Sequence, residues 1–331
     1  MDVIVRDDPK IKLLSYVLSL TDYPEKEQER RPHAVHKILS ETRRQLDMYT
    51  SLSAVTELKN YLNNNIWFIF IQAYVFSLNW PELEAEKFPV YIPEFIPEIV
   101  HSNYNTLLRE FYHQTSLSKL WKQHDRSWKD ACDDTKKCFR NIKIKDLLTK
   151  LFGKLNYDLV FFPNILVPQL ISTGPSSTTE LCCVARTPGP AELGMSVKSF
   201  YEDCNWVRIV AFHEYCHPLM DEVYRANKEV FNEIKKVAKN GSVLNEYRKY
   251  YPDWEDLFTE ILIYSMTIVF LRYEVSLNAA KDFEQESREK TGIKNYDRVA
   301  DIIEEYLIEH EKGNYNTISE YFPEIINKLK N

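Results

Sequence analysis

The chain has 331 residues, 44% hydrophobic and 27% charged, which supports a sizeable core and argues against disorder. Its formal net charge is -7, so it lacks the basic balance of a general nucleic-acid binder. The charged start, Met1 to Asp8, does not read as a secretory signal, and the longest apolar stretch, Ile66 to Leu78, is too short to cross a bilayer. A soluble cytoplasmic protein is expected, with neither nucleic acid nor membrane as partner.

All seven glycines lie at or beyond Gly153. A chain without glycine lacks the easiest source of positive backbone angles, so the first half should be helices joined by simple loops. Apolar spacing predicts helices at about 10–20, 33–49, 53–79 with a break near Asn63-Asn64-Asn65, 94–115 and 126–151. The stretch from Pro81 to Pro97 is the clearest non-helical connection. Within the third helix, Trp67-Phe68-Ile69-Phe70 with Tyr74 and Phe76 reads as core. His33 and His36, three apart among Arg30, Arg31 and Lys37, read as a solvated basic helix start.

The character changes near Asn156. Leu159 to Phe162 and Ile165 to Val167 look like strand, interrupted by Pro163 and ended near Pro168. Gly174-Pro175-Ser176-Ser177 is a turn, and Glu180 to Ala185 is a second short strand. Pro188-Gly189-Pro190 forces a loop, and from Ser196 the chain returns to helix. The charged run Glu284 to Lys290 reads as a solvated helix face. The fold class expected is mainly α (α+β): a helical N-terminal region over 1–155, then a region over 156–331 with a small sheet beside a helix, the two able to form one continuous domain. The six cysteines fit neither a disulfide framework nor a common zinc spacing, so buried free thiols are expected.

The chemistry-bearing segment is His213-Glu214-Tyr215-Cys216-His217. Residues four apart share a helix face, so the two imidazoles can present nitrogens to one metal ion. Glu214, one residue on, can take a proton from water activated by that metal and return it to a leaving amine. Trp206, Val207, Ile209, Val210 and Phe212 lead into the motif, as expected of a helix buried beside a cleft.

This pentapeptide resembles the signature of the zincin metallopeptidases. The resemblance implies zinc as cofactor, Glu214 as the catalytic base, and a peptide or protein as substrate. Pro218 departs from the pattern and predicts that the helix ends or kinks there. Phe212 to Leu219, with the Pro163–Pro168 stretch, is also loosely similar to a family of prokaryotic zincin-like proteins of unassigned function.

A zinc site needs a third protein ligand. No histidine lies between His217 and His310, so an acid is expected, as in the glutamate-ligated zincins, or gluzincins. The helix predicted from Asp253 to about Tyr273 offers Glu255, Asp256 and Glu260. Glu260 stands just before the uncharged run Ile261 to Leu271, where a buried carboxylate needs a partner. That favours His213, His217 and Glu260 as the metal set, with Glu255 as the alternative. Thermolysin-like zincins carry an aspartate four residues after the ligand glutamate. Tyr264 occupies that place here, leaving Asp256 as a candidate supporting carboxylate. Tyr264, Tyr273 and His310 are candidates for stabilising an oxyanion. By the same resemblance, the strand within Glu180–Arg186 could bind substrate backbone along its edge.

Overall fold

Helix dominates the computed structural model, which describes residues 2–30, 32–64, 66, 68–84, 99, 102–167, 172–177, 179–189, 196–231, 251 and 253–330. The chain is mainly helical with a small parallel sheet, and it divides into two compact units. One, the sheet unit, comprises Val3–Arg140 and Tyr157–Ala211; the other, the helical unit, comprises Met1–Asp2, Asn141–Asn156 and Phe212–Asn331.

The sheet unit is built on strands β1 (Val3–Val5), β2 (Asp158–Pro163) and β3 (Glu180–Ala185), in the order β1-β2-β3 with both pairings parallel. A parallel strand covered on both faces reads as a continuous apolar run, as Leu159 to Phe162 does. Successive side chains alternate between faces. Val160 and Phe162 share a buried cluster with Ile11, Phe76, Cys182 and Val184. Ile11 belongs to helix α1 (Pro9–Ser19) and Phe76 to the helix Phe68–Phe76. Phe161 points the other way and meets Phe139 and Phe200 edge-on, at 5.5 and 6.2 Å between ring centroids. Helix α1 starts where it does because the Asp8 carboxylate accepts from the backbone N–H groups of Lys10 and Ile11, with Pro9 at the first helical position.

Several sequence expectations need correction. β1 was not anticipated, since a three-residue strand carries no readable alternation. The helix expected over 126–151 is two: Leu117–Cys138 and Ile144–Phe152. Between them Asn141 takes a left-handed conformation (φ 63°), which no helix continues through. Residues 165–167 are not strand; the Asn164 side chain accepts from the Leu166 N–H at 3.0 Å and turns the chain after Pro163. His33 is buried and His36 caps the helix Lys37–Leu46, so neither is merely solvated. Cys138 and Cys204 form a disulfide; Cys132, Cys182, Cys183 and Cys216 are free and buried. Much of Pro81 to Pro97, the start of the expected 94–115 helix, and Trp67 lie outside the described residues.

The helical unit centres on helix α2 (Trp254–Glu274), whose uncharged stretch is buried on nearly every side. It packs against α3 (Leu277–Thr291) and α4 (Tyr296–Glu311). The Ser265 hydroxyl donates to the Tyr296 carbonyl at 3.2 Å. Helix α5 (Ile318–Lys330) closes the chain. The motif-bearing helix α6 (Cys204–Ala226) enters this unit at Phe212, where Phe212 stacks on Phe270 of α2 with centroids 4.5 Å apart. Among the described residues, no helix is long and apolar enough to cross a membrane.

Candidate metal centre

Within the helical unit the polar residues of α6 and α2 meet in rungs one helical turn apart. The His213 ring meets the Tyr264 ring edge-on at 5.2 Å. His217 Nε2 lies 3.3 Å from Glu260 Oε1, and His213 Nε2 lies 3.6 Å from Glu260 Oε2. The His217 charge reaches Asp221 on its own helix and Asp256 on the facing one. His213, His217 and Asp221 are spaced by four, as are Asp256, Glu260 and Tyr264. Such spacing puts each trio on one helix face, and the pairings show the two segments running in opposite directions here.

His213, His217 and Glu260 form a cluster able to hold a metal ion, with one ligand atom from each lying within 4.8 Å of the others. The two histidine Nε2 atoms are 3.2 Å apart. Donors around a tetrahedral zinc at about 2.0–2.1 Å stand about 3.3 Å from one another. Here the two nitrogens are 3.2 Å apart and lie 3.3 and 3.6 Å from different oxygens of Glu260, close enough for the three side chains to share one ion. Two imidazole nitrogens and one carboxylate oxygen are also a donor set that zinc takes, leaving a fourth position open.

The electrostatics suit a cation. Burial first, then the charges of His217 and Lys290, holds the His213 imidazole well below its ordinary range, which keeps it neutral as a metal ligand requires. Glu260 is 3% exposed, and burial raises its carboxyl above the usual range, against the opposing pull of His217 and a hydrogen bond from Tyr251. Burial likewise pushes Glu214 up to about 7; His217 opposes the shift and Glu260 adds to it. Glu214 and Glu260 are two buried carboxyls in one neighbourhood, and a dication there would favour their charged forms.

No family model, curated protein or solved structure matches this chain.

The structure brings His213, His217 and Glu260 together and places Glu214 beside them. Glu255 lies five residues before Glu260, on a different face of α2, and is not in the cluster. Among the oxyanion candidates, Tyr264 touches His213. Tyr273 is 56% exposed near the far end of α2, and His310 is engaged with the Tyr315 carbonyl at 3.0 Å. Tyr264 is itself stacked between Phe283 and Tyr296, so it holds the His213 ring in place.

Two expectations fail at and near the site. The helix does not end at Pro218 but continues to Ala226, with the proline inside it. Proline removes one donor, the one that would serve the Glu214 carbonyl, while Leu219, Met220 and Val223 remain buried and keep the following turns packed. The outer edge of β3 is also already paired. Thr173 exchanges backbone hydrogen bonds with Val184 at 3.1 and 2.8 Å, and Pro175 accepts from the Cys182 N–H at 3.2 Å. That edge is taken by the chain's own segment and not open to substrate. Sequence reasoning passed over Asp221 and Tyr251. Asp221 could have been found from its spacing after His217. Tyr251 precedes α2 and carried no periodic signal.

Proposed function

We propose that this chain is a zinc-dependent metallopeptidase of the gluzincin kind, acting on peptides or proteins. The observation that carries the reading is the placement of Glu214. It is a buried carboxyl, next in sequence to His213 and within electrostatic reach of His217 and Glu260. A carboxylate beside a reacting water can take its proton and hand it to a leaving amine. Bound zinc supplies a Lewis acid that polarises a carbonyl and makes water a better nucleophile near neutral pH. Glu214 takes the proton from the attacking water and delivers it to the departing amine nitrogen. His213, His217 and Glu260 hold the ion, and Tyr264 keeps the His213 ring oriented toward it.

The experiment combines metal analysis with turnover on a mixed peptide library. Wild type is expected to carry one zinc per chain and cleave. Glu214→Gln is expected to keep the zinc and lose cleavage by about 100-fold or more, as removal of a general base does. Full zinc loading without cleavage of any peptide would refute the peptidase reading. Cleavage that survives Glu214→Gln would refute the role given to Glu214.

A further inference from the structure

Two helix ends meet in the sheet unit through sulfur. Cys138 is the last residue of the helix Leu117–Cys138, Cys204 is the first residue of α6, and their sulfurs are bonded. Other contacts join the same ends. Arg208 of α6 donates through Nε to the Cys138 carbonyl at 2.8 Å, and the Lys137 ammonium lies 5.2 Å from the centre of the Tyr201 ring. Phe200 is buried against Phe161 of β2. None of these contacts uses a sulfur atom, so they do not depend on the bond.

The surroundings of the two sulfurs suit the reduced state as well as the oxidised one. Cys138 Sγ lies 3.3 Å from the Phe200 carbonyl oxygen, and Cys204 Sγ lies 3.6 Å from that of Tyr201. A disulfide sulfur has no hydrogen to donate, whereas a thiol is a weak donor. Each sulfur therefore has an acceptor in reach that only its thiol form can use. Access separates the two. Cys138 is fully buried, and Cys204 is partly exposed. Disulfides exchange when a thiolate attacks one of the two sulfurs, and the rate depends on access to it. A thiolate from solution reaches Cys204 and not Cys138.

We propose that Cys138–Cys204 is a thiol–disulfide exchange site, opened by a small-molecule thiol and reclosed by the matching small disulfide, with Cys204 as the sulfur attacked. In the first step the thiolate bonds to Cys204 Sγ, the Sγ–Sγ bond breaks, and Cys138 leaves as a thiolate that takes a proton from water. A second thiolate then attacks the sulfur of the first. That forms the small disulfide and releases Cys204 as a thiolate, which is protonated in turn. The two small thiols are oxidised, and the protein disulfide gains both electrons. The reverse sequence closes the bond. Cys132, Cys182, Cys183 and Cys216 are free but buried, which keeps them out of this exchange. The site opens the helix that carries His213 and His217, and no metal is needed for the exchange.

The test equilibrates the folded full chain in mixtures of reduced and oxidised glutathione, quenches with acid, and maps free, bridged and glutathione-bound cysteines by mass spectrometry. Far-UV circular dichroism runs in parallel. The Cys138–Cys204 pair is expected to pass from mainly bridged to mainly reduced across the mixtures, with helix content unchanged and the glutathione adduct on Cys204. In Cys138→Ser, Cys204 should react with oxidised glutathione at least about tenfold faster than Cys138 does in Cys204→Ser, because exposure governs thiol reactivity. A bond that stays closed in every mixture and opens only in denaturant would overturn the exchange site and leave a structural staple. An adduct on Cys138, or equal rates in the two variants, would overturn the role given to Cys204. Loss of helix on reduction would overturn the claim that one fold suits both states. Six free thiols in oxidised glutathione would overturn the bond itself.

Discussion

Replacing Glu260 by glutamine should have opposite effects on the metal-free and zinc-bound protein. Without metal, the wild type buries a carboxylate that is 3% exposed and whose ionisation burial opposes. Glutamine keeps the shape and can still accept from Tyr251 but carries no charge, so metal-free Glu260→Gln is expected to melt at or above the wild type. With metal, the variant loses its anionic ligand. Losing an outer partner already costs about 10–100-fold in affinity, so losing the ligand itself should cost at least about 100-fold, or about 2.7 kcal/mol. At free zinc about 100 times the wild-type Kd, binding stabilises the wild type by about 2.7 kcal/mol and the variant by about 0.4 kcal/mol. Thermal melting with and without zinc, beside chelator competition, reads both effects. Glu255→Gln is the control and should bind zinc as the wild type does. An affinity for Glu260→Gln within about threefold of wild type would refute Glu260 as a ligand. A lower melting point for the metal-free variant would refute the claim that the carboxylate is held there at a cost.

Two further outcomes test the electrostatics and the framework. Burial lifts the Glu214 pKa from 4.5 to about 7 in the folded metal-free protein, so the folded state binds the proton more tightly than the unfolded one. The stabilising contribution is then complete below pH 4.5 and disappears as pH rises to about 7. Glu214→Gln should match the metal-free wild type near pH 4.5 and exceed it at pH 8 by on the order of 3 kcal/mol in urea unfolding. A difference that does not vary with pH would refute this. The Cys138–Cys204 bond closes a loop with a sequence separation of 66, so its reduction, or Cys204→Ser, should cost up to about 4 kcal/mol by chain entropy. Melting with and without a reductant checks it, and an unchanged wild-type melting point would show that the bond contributes nothing.

The motif was legible because the information in it is local. His213 and His217 share a face through backbone geometry alone, and Glu214 beside them follows from the same turn. Glu260 stood out because a charge at the edge of the eleven-residue run Ile261–Leu271 is conspicuous. The same run favoured it over Glu255, and packing decided the choice by bringing Glu260, not Glu255, to the histidines of α6. The course of α6 past Pro218 was misread for the same reason: the local cost of proline was visible, while the burial of Leu219, Met220 and Val223 that outweighs it was not.

What the sequence determined by itself, then, was the helix-rich class, the two strands Asp158–Pro163 and Glu180–Ala185 in outline, and the two imidazoles with their neighbouring acid. What only the tertiary structure decided was every pairing across long chain separations. Val3 beside Leu159, Cys138 against Cys204 and Glu260 between the histidines all belong to that class. The division has a physical origin. Periodicity follows from short-range sterics and hydrogen bonds within a few residues, whereas a distant partner is chosen by apolar burial summed over the whole unit, which no single stretch of sequence contains.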